Sequence, residues 1–281
     1  MTTSATPPNS ISEIYAHHPL SAAAILHRIR LESPERGAIC EEDLAYDPHY
    51  GITDQNHVGG AEFVLAMGKR AGVARGVKVL DLGSGLGGPA RLLAQQFHAQ
   101  VTGIEASEGR YEDAQLLTRL TRIHGVHFRQ GDFWSLPVEE NTYDVLWGQA
   151  AWNHVRNKLE FLQRWLPALR RGGRVACEDV FLRDAVRLTL KQRRELDCLR
   201  QIWQVEFLSL RQWFLMFSDL GLEVVAFEDL SAETEAYCRH TAEITRNWPD
   251  WPEPERTGLE IAATLISQRV QGYFRAVVRQ T

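Results

Sequence analysis

The stretch Val79-Leu-Asp-Leu-Gly-Ser-Gly-Leu-Gly-Gly-Pro89 limits the folds open to this chain more than any other. Val77, Val79, Leu80 and Leu82 form an apolar run of strand length, glycines follow at once, and Pro89-Ala-Arg-Leu-Leu-Ala opens a helical pattern. A strand, a tight turn and a helix N-terminus therefore follow one another. Gly83, Gly85, Gly87 and Gly88 permit positive φ and let a ligand lie directly on backbone N–H groups, while Asp81 sets a carboxylate at the C-terminal end of the strand. A small molecule with a polar tail fits such a place.

The glycine spacing is close to the dinucleotide fingerprint G-x-G-x-x-G, but two acids point elsewhere. Asp81 precedes the first glycine by two residues, where its charge repels a pyrophosphate and suits an ammonium group. Val101-Thr-Gly-Ile-Glu105 is a second short apolar strand ending in an acid placed to bind ribose hydroxyls. An adenosine carrying an amino-acid tail satisfies both. At this point the chain resembles the class I S-adenosylmethionine-dependent methyltransferases, with Val79–Gly88 matching their first motif and Glu105 their ribose-binding acid.

That resemblance implies an α/β fold: a Rossmann-like, mostly parallel seven-stranded sheet of order 3-2-1-4-5-7-6, with helices on both faces and a helical cap. It also implies S-adenosylmethionine as cofactor, held by Asp81, Gly83 and Gly85 at the methionine end and Glu105 at the ribose, with Ser84 and Ala106 beside them. Asp132 and Phe133, after the third strand Val126-His-Phe-Arg-Gln, match the adenine-binding pair. Gln149 ends the fourth strand, Tyr143-Asp-Val-Leu-Trp-Gly-Gln149, and is placed near the methyl.

Within the family the chain is similar to sarcosine/dimethylglycine and phosphoethanolamine methyltransferases, over about Tyr46 to Asp179. In these an aromatic residue and a Gly-Gly element precede the first motif, binding the methionine part of the cofactor and closing over the acceptor. His57-Val58-Gly59-Gly60 matches the Gly-Gly element, which makes His57 and Gly59 cofactor candidates; Tyr46 or Tyr50 is the lid residue, with Tyr46 taken as catalytic. His154, just beyond the fourth strand, matches a histidine that pairs with that tyrosine, and its side chain can take a proton near neutral pH. Relatives that carry an Asp two residues after the strand differ from this chain, which has Ala150, so an ethanolamine-like substrate is a weak transfer.

Composition narrows the partners. A net charge of −5 without a basic run leaves no footprint for nucleic acid, and no apolar span approaches membrane length. Cys40, Cys177, Cys198 and Cys238 are scattered without a C-x-x-C pair, so neither a metal site nor a disulfide framework is expected and a cytoplasmic setting is the simplest. The N-terminus lacks the basic-then-apolar layout of a signal peptide, and its first ten residues read as a disordered polar leader. The expected partner is a small-molecule methyl acceptor, with no nucleic acid and no membrane; a homodimer is left open.

The chain divides into an N-terminal helical cap and lid loop (1–60), the cofactor-binding core (61–182), a cap-helix insertion (183–208), and the end of the core (209–281) with a second cap insertion at about 231–270. Glu178 and Asp179 end the fifth strand, which follows a Gly172-Gly173 turn, where they can face the acceptor. Trp152, Trp203, Phe207, Trp213 and Trp248 are candidates for its wall. The expected reaction is methyl transfer to a nitrogen or oxygen of a small metabolite; carbon methylation and a non-catalytic S-adenosylmethionine-binding protein remain open alternatives.

Overall fold

The computed structural model describes Tyr15, residues 18–184 and residues 186–281; the polar leader expected over the first ten residues lies outside them. Strand β1 (Lys78–Leu82) is buried along most of its length because parallel neighbours cover both edges and helices cover both faces. It pairs in register with β2 (Gln100–Glu105) on one side and β4 (Tyr143–Gln149) on the other, so that Asp81 lies level with Gly103 and Trp147. Strand β3 (Val126–Gln130) extends the sheet beyond β2, and β5 (Leu169–Leu182) extends it beyond β4. The far edge is antiparallel: β8 (Gln271–Gln280) runs between β5 and β7 (Leu222–Asp229).

The sheet order is thus β3-β2-β1-β4-β5-β8-β7. This is the expected topology with one addition, since a two-residue strand β6 (Leu208–Ser209) also pairs with β5 and raises the count to eight. Crossovers change direction between β1 and β4. In an open sheet of this kind a crevice opens at the carboxyl ends of those two strands, and the glycine loop lies there.

Two apolar layers clamp the sheet. On one face Trp152, Phe161 and Trp165 pack with Trp213 and Phe217; on the other Val64, Met67 and Leu93 pack with Trp147 and Val277. Helix α3 (Gly60–Ala71) and helix α4 (Gly88–Phe97) belong to the second layer. Gly72 ends α3 at φ +71, a left-handed conformation in which a side chain is strained.

The sequence places a turn at Gly172-Gly173 before the fifth strand, whereas β5 already begins at Leu169 and carries these residues as an irregularity. Tyr143 faces Leu169 while Val145 faces Arg174, so the extra residues bulge out of the ladder.

Above the carboxyl ends of the strands, helices α7 (Leu190–Trp203), α9 (Ser231–Ile244) and α10 (Glu253–Ser267) share an apolar core built on Leu196, Leu199, Cys238, Ala263 and Leu265. The Thr189–Gln192 capping box starts α7. Helix α10 has no counterpart in the sequence reading, because Pro252, Pro254 and Gly258 punctuate its first half. Pro254 nonetheless lies in the first turn, where its missing N–H costs nothing, and Gly258 lets the helix approach the Trp203 ring closely. From the N-terminal side, α1 (Ala22–Glu32), capped by Ser21, packs Ile25 and Ile29 against Leu86, Leu117, Trp248 and Trp251.

Candidate active site

The loop after β1 is shaped by positions where only glycine fits. Gly83 has φ +97, and a Cβ on it would stand 2.5 Å from the Ala151 Cβ; Gly85 has φ +55, and a Cβ there would stand 2.8 Å from Arg110 Nη2. The loop thereby brings bare backbone to the floor of a cavity lined by Gly83, Ser84, Gly85, Glu105, Ala106 and Gln149. Phe133, His57 and His154 also line it.

Glu105 accepts from the N–H groups of Gly85 (2.8 Å) and Ser107 (2.8 Å), which pins both oxygens at the edge of the cavity. A carboxylate has about four acceptor positions, so each oxygen can still take a hydroxyl. Asp81 is 2% exposed and its pKa rises to about 8, first through burial and then through the nearby charge of Glu105. Asp81 Oδ2, Ser84 Oγ, Gln149 Oε1 and Arg110 Nη1 are buried without a hydrogen-bond partner among the described residues. Buried polar atoms are ordinarily paired; Ser84, Gln149 and Arg110 line the cavity, where their free atoms fit a ligand with amino-acid and sugar groups, whereas Asp81 is buried outside the lining.

A second, larger cavity adjoins the first: both are lined by Tyr15, Asn56, His57, Ala150 and His154. The remaining wall of the larger one comes from the cap, with Trp203, Phe207, Tyr237, Trp251 and Leu259. At the junction the Tyr15 hydroxyl and His154 Nε2 are hydrogen-bonded at 2.9 Å. Burial lowers the His154 pKa to about 4 and raises that of Tyr15 to about 12, so at neutral pH both are uncharged. The guanidinium of Arg110 lies 4.3 Å from the centre of the Tyr15 ring. Ala150, which joins the two cavities, is held at φ +51 with its N–H donated to the Glu178 carbonyl, a strained backbone at the place where the spaces meet.

Several expectations need correction. Tyr46 is 70% exposed and lines neither cavity; the tyrosine that meets His154 is Tyr15, far upstream of the Gly-Gly element. Tyr50 packs on Trp248 instead. Gly59 starts helix α3 at φ +81 with Phe63 folded over it, outside the cavity lining. Asp132 is exposed, and its Oδ1 accepts from the Trp134 N–H at 2.7 Å because the chain turns away at Gly131. Glu178 faces Arg275 (2.5 Å) and Gln149 (2.7 Å), not the larger cavity, and Asp179 is buried away from it. Of the five aromatic candidates Trp203 and Phe207 line the larger cavity; Trp152 donates to the Leu82 carbonyl, and Trp213 and Trp248 are core residues.

Sequence reading missed Tyr15, Arg110 and the network that fixes the lid loop. Arg91, fully buried, donates to Glu41 (2.9 Å) and Asp54 (2.6 Å) and also to Ala114 O and Thr118 Oγ1. Asp54 in turn accepts from Gln55 Nε2, and Gln55 Oε1 meets His57 Nε2 at 2.9 Å. One arginine on the glycine-loop helix thus orders three consecutive links of the loop that roofs the site.

Residues 80–177 match the family model of a methyltransferase domain. Residues 80–177 are thus read as a methyltransferase domain, in keeping with the glycine loop and Glu105 that they contain. The chain is 27% identical to the glycine/sarcosine/dimethylglycine N-methyltransferase of Actinopolyspora halophila, over 66% of the chain and 33% of that protein. It is 25% identical to the methyltransferase GfsG of Streptomyces halstedii, over 67% of the chain and 68% of that protein. The chain thus matches about a third of the length of the first relative and two thirds of the second. In fold it is similar to phosphoethanolamine N-methyltransferase 2 of Haemonchus contortus, solved with phosphomonomethylethanolamine and S-adenosylhomocysteine (TM-score 0.77, 17% identity, 97% of this chain and 61% of that one). Another structure of that Haemonchus contortus enzyme holds S-adenosyl-L-methionine (TM-score 0.76, 16% identity, 98% of this chain and 60% of that one).

Proposed function

We propose that this methyltransferase moves a methyl group from S-adenosylmethionine to a nitrogen or oxygen of a small molecule held in the larger cavity, and that it does so in the cytoplasm. The observation that carries the reading is the meeting of two cavities at Tyr15, His57, Ala150 and His154, one floored by the glycine loop and Glu105, the other walled by the cap. Donor and acceptor need only such a junction to lie in line.

Bound S-adenosylmethionine supplies a methyl that is already electrophilic. What the protein adds is placement, dryness and a proton acceptor. Asp81, Gly83, Ser84 and Gly85 are assigned to the amino-acid end, Glu105 and Ala106 to the ribose, Phe133 to the adenine and Gln149 to the neighbourhood of the methyl. Arg110 is added to this set. Asp132 is not assigned to the adenine end, since it is exposed and lies outside the cavity lining.

His154 is neutral at working pH and bonded to Tyr15, so the pair can draw a proton from an acceptor hydroxyl or ammonium onto His154 Nε2, either directly or through Tyr15 Oη. The four cysteines are unpaired thiols, in keeping with a reducing compartment.

The test is transfer of labelled methyl from S-adenosylmethionine to a panel of amines, phenols and alcohols. Transfer to at least one nitrogen or oxygen acceptor that falls sharply in His154→Ala supports the reading. Tight cofactor binding with no transfer to any acceptor would return the chain to the non-catalytic alternative.

A further inference from the structure

The larger cavity has an unusual charge inventory for a small-molecule site. Among the described residues its lining contains no lysine and no arginine. Its histidines, His18, His57 and His154, are all shifted down by burial to about 3, 4 and 4, and its tyrosines are shifted up, so none of them carries charge at neutral pH. Among the described lining residues the one carboxyl group is Glu255, at the start of helix α10, whose pKa burial raises from its ordinary value. Its Oε2 accepts from Trp203 Nε1 at 2.8 Å, and Oε1 has no partner among the described residues.

Two of the unpaired polar atoms on lining residues, Gln271 Oε1 and Asn153 Oδ1, are buried acceptors without a donor among the described residues; the Tyr273 hydroxyl and His154 Nδ1 are unpaired too, and Trp251 Nε1 is an unpaired donor. A ligand that satisfies the two amide oxygens brings hydrogen-bond donors, and one that brings negative charge meets no counter-ion among the described lining residues. Aromatic faces from Trp203, Trp251, Tyr237 and Tyr273 add an environment that favours a cation. Leu20, Val58, Val180 and Leu259 in its wall suit an apolar body.

We infer that the methyl acceptor is a bulky, mainly apolar molecule bearing a basic amine, recognised by Glu255 together with Gln271 and Tyr273. This rests on the larger cavity being the acceptor site. An ammonium has no lone pair, so the nitrogen held at Glu255 is a recognition group, and the atom that receives the methyl is a different one, at the Tyr15–His154 junction. Phosphorylated and carboxylated acceptors are disfavoured by the same charge inventory.

Three isosteric probes separate charge from shape: adamantylmethylamine, adamantanemethanol and adamantanecarboxylate. Their binding to the full chain with S-adenosylhomocysteine present is read at neutral pH by calorimetry and by the change in tryptophan fluorescence, to which Trp203 and Trp251 contribute. The amine is expected to bind about tenfold more tightly than the alcohol, and the carboxylate most weakly, a difference worth about 1.4 kcal/mol. Glu255→Gln keeps the shape and an acceptor for Trp203 Nε1 and is expected to bring amine and alcohol together, while Gln271→Leu weakens the amine without abolishing its preference. S-adenosylhomocysteine binding unchanged in both variants shows that the fold and the donor site are intact.

Equal binding of amine and alcohol, tighter binding of the carboxylate, no binding of any probe, or an amine preference that survives Glu255→Gln each overturns the inference while leaving the methyltransferase reading in place. Failure of the wild-type chain to bind S-adenosylhomocysteine overturns both.

Discussion

Replacing Arg91 by methionine tests how the lid loop is tied to the glycine-loop helix. The side chain is fully buried and makes charge-assisted bonds to Glu41 at 2.9 Å and Asp54 at 2.6 Å, carboxylates that are each 1% exposed. Burial, reinforced by the charge of Asp54, raises the Glu41 pKa well above its ordinary value, with Arg91 pulling against it. Methionine fills much of the volume and removes the charge, which leaves two buried carboxylates facing one another. Two hydrogen bonds to charged groups at about 1.5–3 kcal/mol each set a loss of about 3–6 kcal/mol, and broken buried pairs typically cost about 3–5 kcal/mol. Against a total stability of about 5–15 kcal/mol this is large but survivable for most of that range.

The assay is urea unfolding followed by circular dichroism, for Arg91→Met and for the triple variant that adds Glu41→Gln and Asp54→Asn. The single variant is expected to lose about 3–5 kcal/mol at neutral pH. The triple variant loses less, since its cluster is neutral, and the single variant recovers part of its loss under mildly acidic conditions where the carboxyls protonate. Because Asp54 positions Gln55 and through it His57, Arg91→Met also weakens S-adenosylhomocysteine binding. A loss below about 1 kcal/mol, in the range of an exposed pair, or a triple variant as unstable as the single one, would refute the reasoning.

The shifted acids and bases give further outcomes. Asp81, with its pKa at about 8, is mostly protonated at neutral pH and must ionise to hold an ammonium. Cofactor binding is therefore expected to release a proton below that pH and to strengthen as pH rises toward it; calorimetry in buffers of different ionisation enthalpy reads this, and Asp81→Asn removes it. For Asp179 the folded pKa, raised by burial to about 7, lies above its ordinary 3.8. Its contribution to stability is then complete below the ordinary value and is lost as pH rises through about 7, so Asp179→Asn is expected to stabilise the fold more above pH 7 than below it, by an amount on the order of a few kcal/mol. Tyr15→Phe removes the bond to His154 and is expected to lower kcat more than it raises the KM for cofactor, whereas Tyr46→Phe leaves both unchanged because Tyr46 lines neither cavity.

Local signals carried the centre of the molecule. The apolar run into Gly83-Ser-Gly85 and the second run into Glu105 are read from adjacent residues, and the structure places both at the carboxyl ends of β1 and β2, lining one cavity. What was not legible depends on distant contacts. Tyr15 meets His154 across 139 residues, and nothing near either residue marks the pairing. The sequence offers Tyr46 and Tyr50 beside the Gly-Gly element, and only the course of the chain shows that Tyr46 points to solvent.

Arg91, Glu41 and Asp54 look like surface charges until three separate segments bring them into one buried cluster. Asp132 failed for a different reason. The third strand ends at Gln130 and Gly131 turns the chain at φ +156, so an acid that reads as a strand end lies in an exposed turn. The cap is the least legible part, because its helices owe their positions to packing among Leu196, Cys238 and Ala263 and not to any motif.

The central claim is that the cavity beneath the glycine loop holds S-adenosylmethionine through Glu105. Titration calorimetry with S-adenosylhomocysteine and NAD, on the wild-type chain and on Glu105→Ala, tests it most directly. The account predicts binding of S-adenosylhomocysteine, its loss by at least about a hundredfold in Glu105→Ala as two charge-assisted hydrogen bonds disappear, and no response to NAD. Binding of NAD in its place, or S-adenosylhomocysteine binding that Glu105→Ala leaves intact, would contradict it.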